Sequence, residues 1–128
     1  MPIAVAHDQK RRLITATATG QSTVDELFHF LEAHWVTAGA DYAILFDARN
    51  MIVDQTASDV RAVVSRLERH SDTLRAPFAI VVGAGISADH AFGMGRMFEM
   101  LLEASSISQV RVFRSMTDAE SWLRIESR

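Results

Sequence analysis

The sequence predicts an α/β fold: a mostly parallel sheet of about five strands with four helices, ordered β-β-α-β-α-β-α-β-α, in a single domain spanning 1–128. Three observations predict it. Phe78-Ala79-Ile80-Val81-Val82 is a short, wholly apolar run, as a strand buried on both faces requires. Small residues follow at Gly83-Ala84-Gly85, and then a helical stripe of Met94, Met97, Phe98, Leu101 and Leu102 at spacings of three and four. The same strand–turn–helix pattern recurs along the chain.

Residues 3–5 predict a short edge strand, and His7-Asp8-Gln9-Lys10 a turn. Residues 13–19 alternate, with Thr15, Thr17 and Thr19 on one side and Ile14, Ala16 and Ala18 on the other, which predicts the second arm of a hairpin. Gly20 is expected to break that strand. Thr23-Val24-Asp25-Glu26 is a capping box, with Thr23 as N-cap and Glu26 three residues on. Val24, Leu27, Phe28, Leu31 and Trp35 then share a helical face, and Gly39 is expected to end the helix.

Residues 43–46 predict the next buried strand, ended by Asp47, with a loop over 47–55. A second helix is expected from Thr56, with Val60, Val63, Val64 and Leu67 as its apolar face. Pro77 introduces the central strand. After the third helix, Val110, Val112 and Phe113 predict an edge strand made polar by Arg111 and Arg114. Thr117-Asp118-Ala119-Glu120 reads as another capping box, with Trp122, Leu123 and Ile125 docking the last helix.

Bulk properties narrow the function classes. The formal net charge is -3, from 13 basic and 16 acidic residues, so there is no concentrated basic face for nucleic acid. Cysteine is absent, which excludes disulfides, thiolate metal sites and cysteine nucleophiles. The five histidines lack an i,i+4 pair on one helix, so no metal and no cofactor are expected. No apolar run reaches the roughly 20 residues of a membrane span. The first residues carry their charges after the apolar run, the reverse of a signal peptide, so a cytoplasmic location is expected.

Several stretches together resemble a family. They are Gly20 with Thr23-Val24-Asp25-Glu26-Leu27, Ile44-Leu45-Phe46-Asp47-Ala48-Arg49, and Ala79-Ile80-Val81-Val82. They continue with Phe92-Gly93-Met94-Gly95-Arg96-Met97, Val110-Arg111-Val112-Phe113-Arg114 and Ala119-Glu120-Ser121-Trp122-Leu123. The set resembles the STAS domains, the group of the bacterial anti-sigma-factor antagonists, and within it the small bacterial SpoIIAA-like branch. The resemblance covers about residues 13–123. It implies a STAS-like fold and a non-enzymatic interaction or ligand-sensing module, with lipid-binding Sec14-type domains as structural relatives. It also implies a possible phospho-acceptor: Asp54-Gln55-Thr56-Ala57 lies where the antagonists carry Asp-Ser-Ser-Gly, which puts Thr56 at the acceptor position. Gln55 and Ala57 depart from that pattern, and Thr56 also reads simply as an N-cap.

Read residue by residue, the site is placed beyond the carboxyl ends of the strands. Gly83-Ala84-Gly85-Ile86-Ser87-Ala88 fits a dinucleotide fingerprint, but Arg114 and Ser115 stand where that fingerprint needs an acid, so it reads as a tight turn. The expected ligand site comprises Asp47, Arg49, Gly83, Gly85, Phe92, Met94, Arg96 and Met97. Glycines would admit a close approach, Arg49 and Arg96 would hold an anion, and Phe92, Met94 and Met97 would form an apolar wall. The expected ligand is a small amphipathic anion with an apolar tail, such as a fatty acid. A small hydrolase using Asp47, Asp54 and Asp59 is the other class left open. Phe92, Met100 and Leu102, outside the narrowest arc of the third helix, predict self-association, as a homodimer.

Overall fold

The computed structural model describes residues 3–38 and 41–126. Its elements are β1 (Ile3–Asp8), β2 (Leu13–Gln21), α1 (Val24–Phe30), β3 (Ala43–Ile52), α2 (Ala57–Leu67), β4 (Phe78–Val81), α3 (Asp89–Ala104), β5 (Val110–Phe113) and α4 (Met116–Glu126). The five strands form one mixed sheet in the order β1-β2-β3-β4-β5. β1 runs antiparallel to β2, and the pairs β2–β3, β3–β4 and β4–β5 are parallel. The helix end expected at Gly39 lies outside the described residues.

Crossovers of one hand that always step in the same direction leave their helices on one face of the sheet. α1, α2 and α3 accordingly share a core with Ile14, Ala16, Ile44, Phe46, Phe78 and Val112. α4 follows the last strand and packs on the opposite face, where Ala119 and Leu123 meet Leu13, Leu45, Ala79 and Val81. The alternation in β2 follows this division: Ile14, Ala16 and Ala18 are buried under the helices.

Several boundaries differ from the sequence reading. β1 runs on through His7 and Asp8, and β2 passes through Gly20 to Gln21. β3 does not stop at Asp47. It carries one extra residue against β2, between the pairs Thr17↔Asp47 and Thr19↔Asn50, and continues to Ile52. A bulge absorbs the residue, and Asp47 Oδ1 braces it by accepting the Arg49 backbone N–H at 3.1 Å. α4 is capped by Ser115, not Thr117: Ser115 Oγ accepts the Asp118 N–H at 3.3 Å. Ile125, expected to dock, is exposed, whereas Leu102, expected at a self-association face, is wholly buried.

α1 continues directly into a π-helical segment, Leu31–Val36. Five-residue spacing rather than four then brings Phe30 and Trp35 to the same side. Both rings reach Phe78, at centroid distances of 6.5 Å and 4.8 Å. The buried Trp35 indole N–H donates to the Ala76 carbonyl at 2.9 Å, so the entry to β4 is tied to α1.

The two glycines flagged in α3 have different surroundings. A Cβ on Gly95 would lie 2.6 Å from Val112 Cγ2, so its absence lets α3 lie against β5, whereas Gly93 faces open space. α3 also reaches over the sheet edge. Glu99 accepts the outward Val112 N–H at 3.1 Å, which removes a free donor from β5.

Candidate functional site

The feature best suited to hold a ligand is an apolar cavity of about 130 Å³ between the three-helix layer and the sheet. Its floor is Phe46, Ala48, Phe78, Ile80 and Val82, from β3 and β4 and the residue after β4. These residues alternate along their strands with side chains facing α4, as the period of two requires. Its roof is Leu27 and Phe30 from α1, Val60 and Val63 from α2, and Ala91, Met94 and Phe98 from α3. Met51 and Val53 extend it toward the carboxyl end of β3, where Gln55 and Asp59 are its polar members. An engineered cavity of about 150 Å³ with similar lining stays dry and takes benzene or xenon. The volume here suits a ring or short alkyl chain, below the roughly 300 Å³ at which drug-sized pockets begin.

Capping places the polar end. Thr56 Oγ1 accepts the Asp59 N–H at 3.2 Å and Asp59 Oδ2 accepts the Thr56 N–H at 2.9 Å, which fixes the first turn of α2. The buried Gln55 side chain donates to the Ser22 carbonyl at 2.8 Å, joining the entries to α1 and α2. The Gln55 carbonyl lies 3.0 Å from His90 Nε2, which brings in the start of α3. A second, polar depression adjoins this point and shares Gln55 and Asp59 with the cavity.

The expected site residues do not come together as one pocket. Only Met94 lines the apolar cavity; Met97 packs against the core beside it. Asp47 and Arg49 follow Ala43 and Leu45 in alternation and so stand on the α4 face of the sheet. There Arg49 Nε and Nη2 donate to the two Asp47 carboxylate oxygens, each at 2.9 Å. Gly83 lies beside them: a Cβ there would sit 3.7 Å from Arg49 Cγ. Phe92 and Arg96 border a different surface depression with Trp122, and Arg96 pairs with Glu99 at 2.8 Å. Both arginines expected to hold an anion are therefore paired with carboxylates away from the apolar cavity. Of the three loop acids, Asp54 and Asp59 border one depression and Asp47 lies across the sheet.

Gly83 and Gly85 have φ of 89° and 99°, a region that side chains disfavour, and they turn the chain from β4 toward α3. Arg114, not among the expected ligand-site residues, holds this turn. It donates to Asp89 at 2.8 Å and to the Gly85 carbonyl at 3.4 Å, and its guanidinium lies 4.3 Å from the Phe92 ring centroid. Most of the cavity's lining was also absent from the expected site, Phe30, Phe46, Phe78, Ile80, Val82 and Ala91 among it. The strand alternation of Phe46, Phe78, Ile80 and Val82 was readable; the shared border on an empty volume was not.

The Arg49 side-chain hydrogen bonds hold the Asp47 carboxyl below its usual 3.8; burial opposes them, and the Arg49 backbone N–H and charge assist. A folded-state pKa below the unfolded one contributes stability that is present above about pH 4 and lost as pH falls through the folded value. Asp47→Asn is expected to cost about 1 kcal/mol at pH 7, discounted for the exposed Arg49. The gap to wild type should narrow in urea unfolding at acid pH, as the carboxyl takes up its proton. An equal gap at both pH values would place the effect outside the ion pair.

No helix among the described residues is long and apolar enough to cross a membrane. The chain matches no family model and no curated protein.

Proposed function

We propose that this chain is a non-enzymatic STAS-like module that binds a small lipid-like molecule by its apolar end. The observation that carries the reading is the cavity under α1, α2 and α3, lined by aromatic and aliphatic side chains with its polar residues at one end. Such a lining is what an alkyl or aryl group needs, and a polar end orients it. Its polar end lies toward the carboxyl end of β3, the edge at which open α/β sheets take ligands. The STAS resemblance supports a sensing or interaction role for the bound state. Self-association belongs to the same proposal, with exposed Met100 on α3 as a contact; sedimentation at micromolar concentration should show a species heavier than the 14.2 kDa chain.

Benzene is the simplest probe of the cavity. A saturating probe that binds only the folded chain stabilises it by about 2.7 kcal/mol at a hundredfold excess over Kd. The melting temperature should rise with benzene in the wild type. The rise should disappear in Ala91→Leu and in Ala48→Leu, which place three extra carbons against the cavity. If benzene leaves the wild-type melt unchanged, or if both filled variants respond like the wild type, the cavity is not a binding site.

A further inference from the structure

We infer that the apolar end of the ligand is an aromatic ring rather than an alkyl chain, that it carries no anionic group, and that it sits among Phe30, Phe46 and Phe78. The inference rests on the apolar cavity being the binding site, and it narrows the guest to one chemical class. It replaces the fatty-acid-like anion expected from the sequence.

Four phenyl rings line the cavity, Phe30, Phe46, Phe78 and Phe98. Three of them are already packed on one another. Phe30 meets Phe46 at 5.3 Å between centroids and 61°, and Phe78 at 6.5 Å and 68°, both edge-to-face. Phe46 and Phe78 lie 6.2 Å apart at 22°, nearly parallel. These are separations and tilts at which the electron-rich face of one ring takes the electron-poor edge of another. The three rings come from α1, β3 and β4, so the floor and the roof of the cavity are both aromatic. Met94 borders the same space, and a methionine thioether also favours aromatic neighbours. A guest ring extends this cluster by one member, whereas an alkyl chain fills volume without the matching charge pattern. A single ring also has no internal rotation to freeze, and an alkyl chain has several.

The same lining excludes an anion. Among the described residues no arginine, lysine or histidine borders the cavity, and its one ionisable member is Asp59. Asp59 accepts the Thr56 N–H, and the Gln55 amide donates to the Ser22 carbonyl, so both polar members already serve the fold. A carboxylate drawn in here would share the space with a second carboxylate and meet no cation, at the cost of burying an unpaired charge. The volume of about 130 Å³ suits one ring, since the engineered cavity of about 150 Å³ takes benzene.

The experiment compares benzene with cyclopentane, a saturated ring of similar size, by NMR titration and thermal melts at pH 7. Burial of area alone predicts no preference for benzene. Benzene is expected to bind about tenfold more tightly, the step of one or two added ring–ring contacts. Benzoate should bind more weakly than benzene by about tenfold or more. Phe46→Leu and Phe30→Leu each remove one ring, so the benzene-to-cyclopentane ratio should fall towards one in both. The wild-type ratio is read whether or not either variant folds. Cyclopentane bound as tightly as benzene by the wild type, or a ratio unchanged in the folded variants, would overturn the aromatic assignment and leave the cavity standing. Benzoate bound as tightly as benzene would overturn the exclusion of anions. If neither benzene nor cyclopentane binds the wild type, the cavity reading falls and this inference falls with it.

Discussion

Phe78→Ala is expected to destabilise the chain by about 3–5 kcal/mol, the range for removing a buried aromatic ring. Phe78 is 1% exposed and stands at the centre of a ring cluster, with Trp35 at 4.8 Å, Phe46 at 6.2 Å and Phe30 at 6.5 Å between centroids. Its loss removes the contact that joins β4 to α1 through both Phe30 and Trp35. The cost should sit at the upper end because the ring also walls the apolar cavity, so the vacated space adds to an existing void. Benzene should then restore part of the loss, by more in Phe78→Ala than in the wild type. Equilibrium urea unfolding with and without benzene measures both effects; a loss below about 1 kcal/mol would mean that the cluster relaxes around the missing ring.

Gly95→Ala is expected to cost about 1–3 kcal/mol through overpacking, although alanine favours a helix interior by up to about 1 kcal/mol. The added Cβ would lie 2.6 Å from Val112 Cγ2 and 3.1 Å from Val112 Cβ. Contact decides the sign here because Val112 is buried on β5 and packs under α3. Val112→Ala removes the atom at 2.6 Å, so the double variant should be more stable than the two single costs added together. A double-mutant cycle reads this coupling directly. Gly93→Ala is the internal control: its Cβ would meet nothing within 4 Å, so it should be neutral or stabilising. If Gly95→Ala matches Gly93→Ala, α3 is not held against β5 by this approach.

Local chemistry made much of the architecture legible. The capping boxes at Thr23 and Thr56 start α1 and α2 where their residue types predict. The apolar face of α2 is Val60, Val63, Val64 and Leu67, all buried as the spacing demands. Failures occurred where a local rule was overridden by structure on another element. Asp47 ends a strand by its residue type, yet the bulge and its own bond to Arg49 carry β3 on to Ile52. Phe30 lies three residues past Leu27 on the same side of α1 and is buried there, and the π-helical segment that follows brings Trp35 to the same side. Thr117 competes with Ser115 for the α4 cap, and Ser115 holds it because β5 stops at Phe113.

The candidate site was less legible for a related reason. Arg49 and Arg96 are near the expected edge in sequence, but side-chain pairing sends them to Asp47 and Glu99. Met94 alone of the expected apolar wall reaches the cavity, since Phe92 turns toward Arg114 at the opposite side of α3. An unfilled volume depends on how side chains from three helices meet one sheet face, which no spacing along a single element encodes.

Diffraction from a crystal soaked with iodobenzene tests the central claim most directly. The proposed module should show one strong anomalous iodine peak inside the apolar cavity, against Phe46, Phe78 and Met94. Iodine confined to the surface, with the space between those three side chains closed or empty, would contradict it.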